Sequence, residues 1–142
     1  MALYIDSSFL LNIIYSEHGF EKNLEKFNKS EILFSSLLIE IEVYRSLNYI
    51  FYRNKTHLDQ KWYQDTVDFI AKLISNINLK NLDSDINNEF KKQKSISELK
   101  SLDAIHLSTA LYIKKLISED LIFCTLDQKL KEVAIKNNFK TF

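Results

Sequence analysis

Short apolar runs alternate along the chain with longer stretches in which apolar positions recur every third or fourth residue, a pattern of strands alternating with amphipathic helices. Leu3-Tyr4-Ile5 is the first strand candidate and ends in Asp6-Ser7-Ser8. Ser7 or Ser8 is expected to cap a helix with its core face at Leu10, Leu11 and Ile14, and Gly19 to close it. Phe20, Leu24 and Phe27 mark a second helix. Ile32-Leu33-Phe34 reads as the next strand, with Ser35-Ser36 capping a long helical pattern from about Leu37 to Arg53.

Trp62, Val67, Phe69, Ile70, Leu73, Ile74 and Ile77 extend a broad-faced helix over residues 58–77, expected to pair with the helix before it. Residues 78–83 predict a short strand, 85–94 a polar helix and 95–101 a loop or helical turn. A helix over 103–117 buries Ile105, Ala110, Leu111 and Ile113; a buried strand at 121–125, a closing helix at 128–137 and an edge strand at 139–142 complete the chain. No repeat or low-complexity segment interrupts this rhythm. The implied class is α/β, a three-layer α/β/α sandwich whose mainly parallel central sheet is covered on both faces.

A length of 142 residues suits one domain, residues 1–142, that buries roughly two-thirds of the surface of its unfolded chain. With 46% hydrophobic and 27% charged residues the chain reads as globular rather than disordered. There is no basic leader and no apolar run near the roughly 20 residues of a membrane span, so a soluble, cytoplasmic protein is expected. Cys124 is the sole cysteine, which excludes an internal disulfide; flanked by Ile122 and Phe123, it reads as a buried strand thiol, and no Cys/His spacing suggests zinc. A formal charge of zero argues against coating nucleic acid by global electrostatics, though not against a local phosphate site. A single glycine, Gly19, excludes the Gly-rich phosphate cradles.

Four acids stand where apolar elements begin or turn toward solvent: Asp6, Glu42, Asp103 and Asp127. Asp6 and Asp127 follow apolar strands, and ligands of parallel sheets bind beyond the carboxyl ends of the strands. Each acid alone has a plain structural reading: a turn residue at Asp6, a solvated face at Glu42, a first-turn dipole partner at Asp103, an N-cap at Asp127. Together, with the two strand-end acids in strands expected to be neighbours, they point to a magnesium site. Glu40 competes with Glu42 but lies about 200° away around the helix, so only one can face the site.

Tyr4-Ile5-Asp6-Ser7-Ser8, Ser35-Ser36 leading to Glu42-Val43-Tyr44-Arg45, Leu102-Asp103-Ala104-Ile105-His106-Leu107 and Thr125-Leu126-Asp127 occur in the order found in the PIN-domain ribonucleases. The chain resembles that family, and within it most resembles the VapC-type toxins of toxin–antitoxin pairs. The likeness runs from residue 3 to the C-terminus, carried most specifically by Leu102–Leu107, with no matching motif over about 48–100. It implies a PIN-like fold and an endoribonuclease that depends on Mg2+, with Mn2+ able to substitute. It also implies products with 5′-phosphate and 3′-hydroxyl ends, a cognate antitoxin that occludes the site, and a homodimer.

On that likeness Asp6, Glu42, Asp103 and Asp127 form the catalytic and metal-binding set. Asp6 and Asp103 are the expected direct ligands, with Glu42 and Asp127 holding hydration waters or a second ion. The chemistry agrees: magnesium takes hard oxygen donors, usually only one or two carboxylates, and two ions about 4 Å apart suit in-line attack of a metal-activated water on an RNA phosphodiester. Without metal, mutual repulsion should raise some of the acids' pKa values, and metal should stabilise the fold.

Ser8 and Thr125 are expected to support metal-bound water, Thr125 by matching a family position and Ser8 with a competing reading as a helix cap. Arg45 is expected to pair with Glu42 one turn away, or else to bind a substrate phosphate. His106, between Ile105 and Leu107, reads as a packed, hydrogen-bonded histidine rather than a general base. Lys91, Lys92, Lys94 and Lys100 either guide RNA or form a solvated face. The aromatics from Tyr44 to Phe69 suit the core or a protein interface better than base stacking.

Two other classes compete. A haloacid-dehalogenase-type phosphoryl-transfer enzyme needs a second Asp two residues after the first, where this chain has Ser8. A catalytically silent PIN-fold binding module is disfavoured by the presence of all four acids.

Overall fold

The computed structural model describes residues 1–142. Five strands, β1 (Ala2–Ile5), β2 (Ile32–Ser36), β3 (Ile77–Lys80), β4 (Leu121–Cys124) and β5 (Lys140–Thr141), form one sheet in the order β3-β2-β1-β4-β5. Every pairing is parallel. The connecting helices are α1 (Ser7–Ile14), α2 (Phe20–Lys29), α3 (Leu38–Arg53), α4 (Gln60–Ile74), α5 (Ser84–Lys92), α6 (Ser101–Leu116) and α7 (Gln128–Lys136), with a 3₁₀ turn at Lys94–Glu98. The α/β class and the helix-covered parallel sheet agree with the sequence pattern.

Alternation along the strands separates two cores. Leu3 and Ile5 of β1 point into a cluster with Phe9, Leu10 and Ile13 of α1, Phe27 of α2, Ile39, Val43 and Leu47 of α3, and Ile70, Leu73 and Ile74 of α4. Ala2 and Tyr4 point the other way, toward Leu121 and Phe123 of β4, Leu107 and Ala110 of α6, and Leu130 and Val133 of α7. A central parallel strand buried on both faces must be apolar throughout, and Ala2–Ile5 is fully buried.

Helix starts differ from the sequence expectation. α1 is capped not by Ser7 or Ser8 but by Asp6, whose Oδ1 accepts the Phe9 amide at 3.0 Å; a carboxylate in extended backbone satisfies an orphan donor and also meets the helix dipole. Gly19 does not close α1, which ends at Ile14. It instead begins α2 with φ of +78°, a left-handed conformation that favours glycine. Ser35 and Ser36 end β2 rather than cap α3, whose N-cap is Leu37 without a side-chain cap bond; Ser36 Oγ still accepts the Leu38 amide at 3.1 Å, while Ser35 Oγ donates to the Ile5 carbonyl. The predicted helix over 58–77 stops at Ile74, and Ile77 opens β3 opposite Leu33, because an edge-strand ladder satisfies its backbone where α4 has ended.

Leu47 of α3 is fully buried, whereas Ile41 on the same helix is 68% exposed. Leu47→Ala is expected to cost about 2–5 kcal/mol in urea unfolding, and Ile41→Ala to stay within about 0.5 kcal/mol of the parent.

Candidate functional site

The strand order reverses between β1 and β4, and a doubly wound sheet opens a crevice there because its crossovers diverge to opposite sides. Ile5 is in register with Cys124, and the Asp6 amide continues the ladder onto the Cys124 carbonyl at 3.2 Å. Asp6 and the segment Thr125–Asp127 are therefore side by side despite their separation in sequence. Asp6 is buried and held from three directions. Ser8 Oγ donates to Oδ1 at 2.8 Å, Thr125 Oγ1 donates to Oδ2 at 2.5 Å, and the Phe9 amide completes the set. Burial raises the Asp6 pKa, while His106 and these donors pull it back down. Ser8 Oγ and Thr125 Oγ1 also accept the amides of Leu126 and Asp127, at 2.8 and 3.1 Å, so the two hydroxyls join the ends of both strands.

Glu42, on the inward side of α3, meets Ser7 and His106. Ser7 Oγ donates to Oε2 at 2.8 Å, and His106 Nε2 lies 2.5 Å from Oε1. His106 is fully buried on α6, its Nδ1 2.8 Å from the Tyr4 hydroxyl. The expected ion pair between Arg45 and Glu42 does not form. Arg45 is exposed on the outer side of α3, its guanidinium 5.8 Å from the Tyr49 ring centre, because the side chain three residues on from Glu42 is turned off the buried stripe of Val43 and Leu47. Glu40 borders a separate surface groove with Leu37, Ile41 and Leu82.

Asp103, in the first turn of α6, is half-buried. Its pKa is raised first by burial, then by Asp127 and Asp6, and further by Glu42; His106 lowers it. The other three sequence-predicted acids thus act on the Asp103 carboxyl group, and His106 offsets them only in part. Asp127 is exposed and caps α7, its Oδ1 accepting the Leu130 amide at 2.8 Å, so its structural reading and its place among the acids hold together.

No three His, Cys, Asp or Glu side chains converge into a ready-made metal cage. Magnesium does not require one, since it keeps most of its waters and takes one or two carboxylates directly. The donor set is all hard oxygen, and Asp103 carries a negative charge crowded by three others. Both features fit a divalent cation, with Asp6 and Asp103 as the residues to hold it.

Sequence reasoning placed His106 as packed and hydrogen-bonded, which it is, but missed its link to Glu42 and the roles of Ser7 and Tyr4. The one-turn spacing of Asp103 and His106 was the available signal. Lys91, Lys92, Lys94 and Lys100 are exposed, with Lys92 3.6 Å from Glu89. Phe51, Trp62 and Tyr63 pack together between α3 and α4, while Tyr49 and Tyr52 are exposed. Cys124 is buried and its thiol pKa pushed far up, as a structural cysteine requires.

The PIN domain pattern matches residues 3–136. No curated protein sequence matches the chain significantly. Among solved structures it is similar to the crystal structure of VapBC2 from Rickettsia felis bound to a DNA fragment from their promoter, with a TM-score of 0.67 over 100% of this chain and 98% of that one, at 13% identity. No helix is long and apolar enough to cross a membrane. The match across nearly the whole sequence, on a parallel sheet with acids collected at its switch point, makes this chain a member of the PIN-domain family, a family of nucleases.

Proposed function

We propose that this chain is a metal-dependent endoribonuclease, the toxin of a toxin–antitoxin pair, that hydrolyses RNA phosphodiester bonds. The observation that carries the reading is the charge crowding at Asp103, whose carboxyl feels Asp127, Asp6 and Glu42 at once and is relieved only in part by His106. A divalent cation, when bound, supplies a Lewis acid that offsets charge on phosphate oxygens and lowers the pKa of a coordinated water. Asp6, held by Ser8 and Thr125, and Asp103 would hold that cation. Glu42 and Asp127 accept hydrogen bonds from waters in the crevice, and the carboxylate facing the phosphodiester orients the nucleophile for in-line attack. Ser8 and Thr125 keep Asp6 in place, and exposed Arg45 is available to a substrate phosphate beyond the crevice.

The likeness to a VapBC2 complex supports an antitoxin as protein partner. A homodimer belongs to the same reading, and exposed Tyr49 and Tyr52 on α3 suit a protein interface. The rival is a catalytically silent PIN-fold binding module, which would take up no cation.

Purified protein with Mg2+ or Mn2+ is expected to cleave RNA. Asp6→Asn combined with Asp103→Asn should lose about a hundredfold or more of that rate; retained cleavage would refute their roles. Light scattering at micromolar concentration should report a dimer, and a monomer would count against one.

Stability should respond to pH with a definite sign. Asp6 and Asp103 have raised pKa values in the folded chain, so the folded state binds their protons more tightly than the unfolded state does. Their contribution is full below the ordinary carboxylate value of about 4 and is lost as pH rises through the raised values. Without divalent cation, melting temperature should fall across that window. Mg2+ at 100 times its dissociation constant should restore about 2.7 kcal/mol at neutral pH. Asp103→Asn should flatten the pH dependence and remove most of the Mg2+ response.

A further inference from the structure

Glu42 is held at both oxygens by side chains from other helices, Ser7 of α1 and His106 of α6. The direction of the His106 bond follows from its neighbours. Glu42 Oε1 is a carboxylate oxygen and accepts, so the proton of a neutral His106 imidazole lies on Nε2, 2.5 Å away. Nδ1 is then the acceptor for the Tyr4 hydroxyl proton at 2.8 Å, a bond that keeps the ring proton on Nε2.

The Tyr4 ring that sets this order is itself fixed, stacked on Phe123 at 5.3 Å and edge-on to His106 at 5.8 Å. Packing alone does not call for a histidine here. Leu107 and Ala110 on the same helix are equally buried and apolar, and a polar ring in such a place is costly unless both nitrogens are satisfied. Two of the roughly four acceptor positions of the Glu42 carboxylate are taken by Ser7 and His106, which leaves about two for the crevice.

We propose that His106 is a positioning residue: with its proton held on Nε2 by Tyr4, it fixes the Glu42 carboxylate in the acidic crevice and so sets how tightly the site takes up a divalent cation. The inference rests on the nuclease reading and deepens it. It reverses the familiar order in which a carboxylate orients a ligating histidine, but the physical effect is the same, a carboxylate beside the cation whose rotamer is fixed before the cation arrives.

Long-range proton–nitrogen correlation spectra of the cation-free protein are expected to place the His106 proton on Nε2. Mn2+ titration by calorimetry is expected to show a loss of about 10–100-fold in affinity for His106→Leu. His106→Gln should retain most of the affinity, because its amide can donate from near the position of ring Nε2. Tyr4→Phe should divide the ring proton between the two nitrogens and lower affinity as well, which keeps the test available if His106→Leu does not fold. A proton on Nδ1 in the wild type, or a folded His106→Leu or Tyr4→Phe that binds Mn2+ as the wild type does, overturns the positioning role alone. A wild type that takes up no Mn2+ overturns the nuclease reading and the cation half of this inference with it.

Discussion

Like charge gathered at the switch point of a parallel sheet is the constraint around which this molecule is built. Parallel pairing of β1 with β4 places the ends of both strands together, and the chain sends acids there from β1, α3, α6 and the turn before α7. Carboxylates crowded at the edge of a low-dielectric core repel one another and resist desolvation. The fold tolerates this because two apolar clusters, one on each face of the sheet, hold the elements that deliver the acids.

The way the acids are held is as informative as their position. Elsewhere carboxylates meet lysines: Glu25 with Lys29, Asp65 with Lys61, Asp83 with Lys80, Glu89 with Lys115, Asp120 with Lys140. In the crevice the partners are hydroxyls, backbone amides and one imidazole, from Ser7, Ser8, Thr125, Phe9, Leu130 and His106. Such donors orient a carboxylate without cancelling its charge. A lysine would fix the same geometry and neutralise the site, so the choice of donors leaves the negative potential of the crevice in place.

Several residues both cap or join elements and shape the charge of the crevice. Asp6 caps α1 and sits deepest among the acids; Asp127 caps α7 and adds to the field at Asp103. This explains why the plain readings of these residues competed with the functional ones: at a strand-to-helix turn beyond a parallel strand, an N-cap carboxylate already stands at the ligand crevice. Thr125 likewise follows the end of β4 and bonds Asp6, which follows β1.

Apolar periodicity determined the alternation of elements, because a strand buried on both faces has to be continuous in apolar residues and a helix on one face has to repeat every three or four. That was enough to read the α/β class and nearly every element. It could not tell which of Asp6, Ser7 and Ser8 would cap α1, since all three cap well and only the path of β1 decides which is in extended backbone. Nor could it place Gly19, whose left-handed φ belongs to the start of α2 rather than the end of α1. The strand order, the turn of Arg45 away from Glu42, and the chain of hydrogen bonds from Tyr4 through His106 to Glu42 came only with tertiary structure. They join residues such as Tyr4 and His106 that lie far apart in sequence, and the energy of a buried hydrogen bond depends on neighbours that local spacing does not specify.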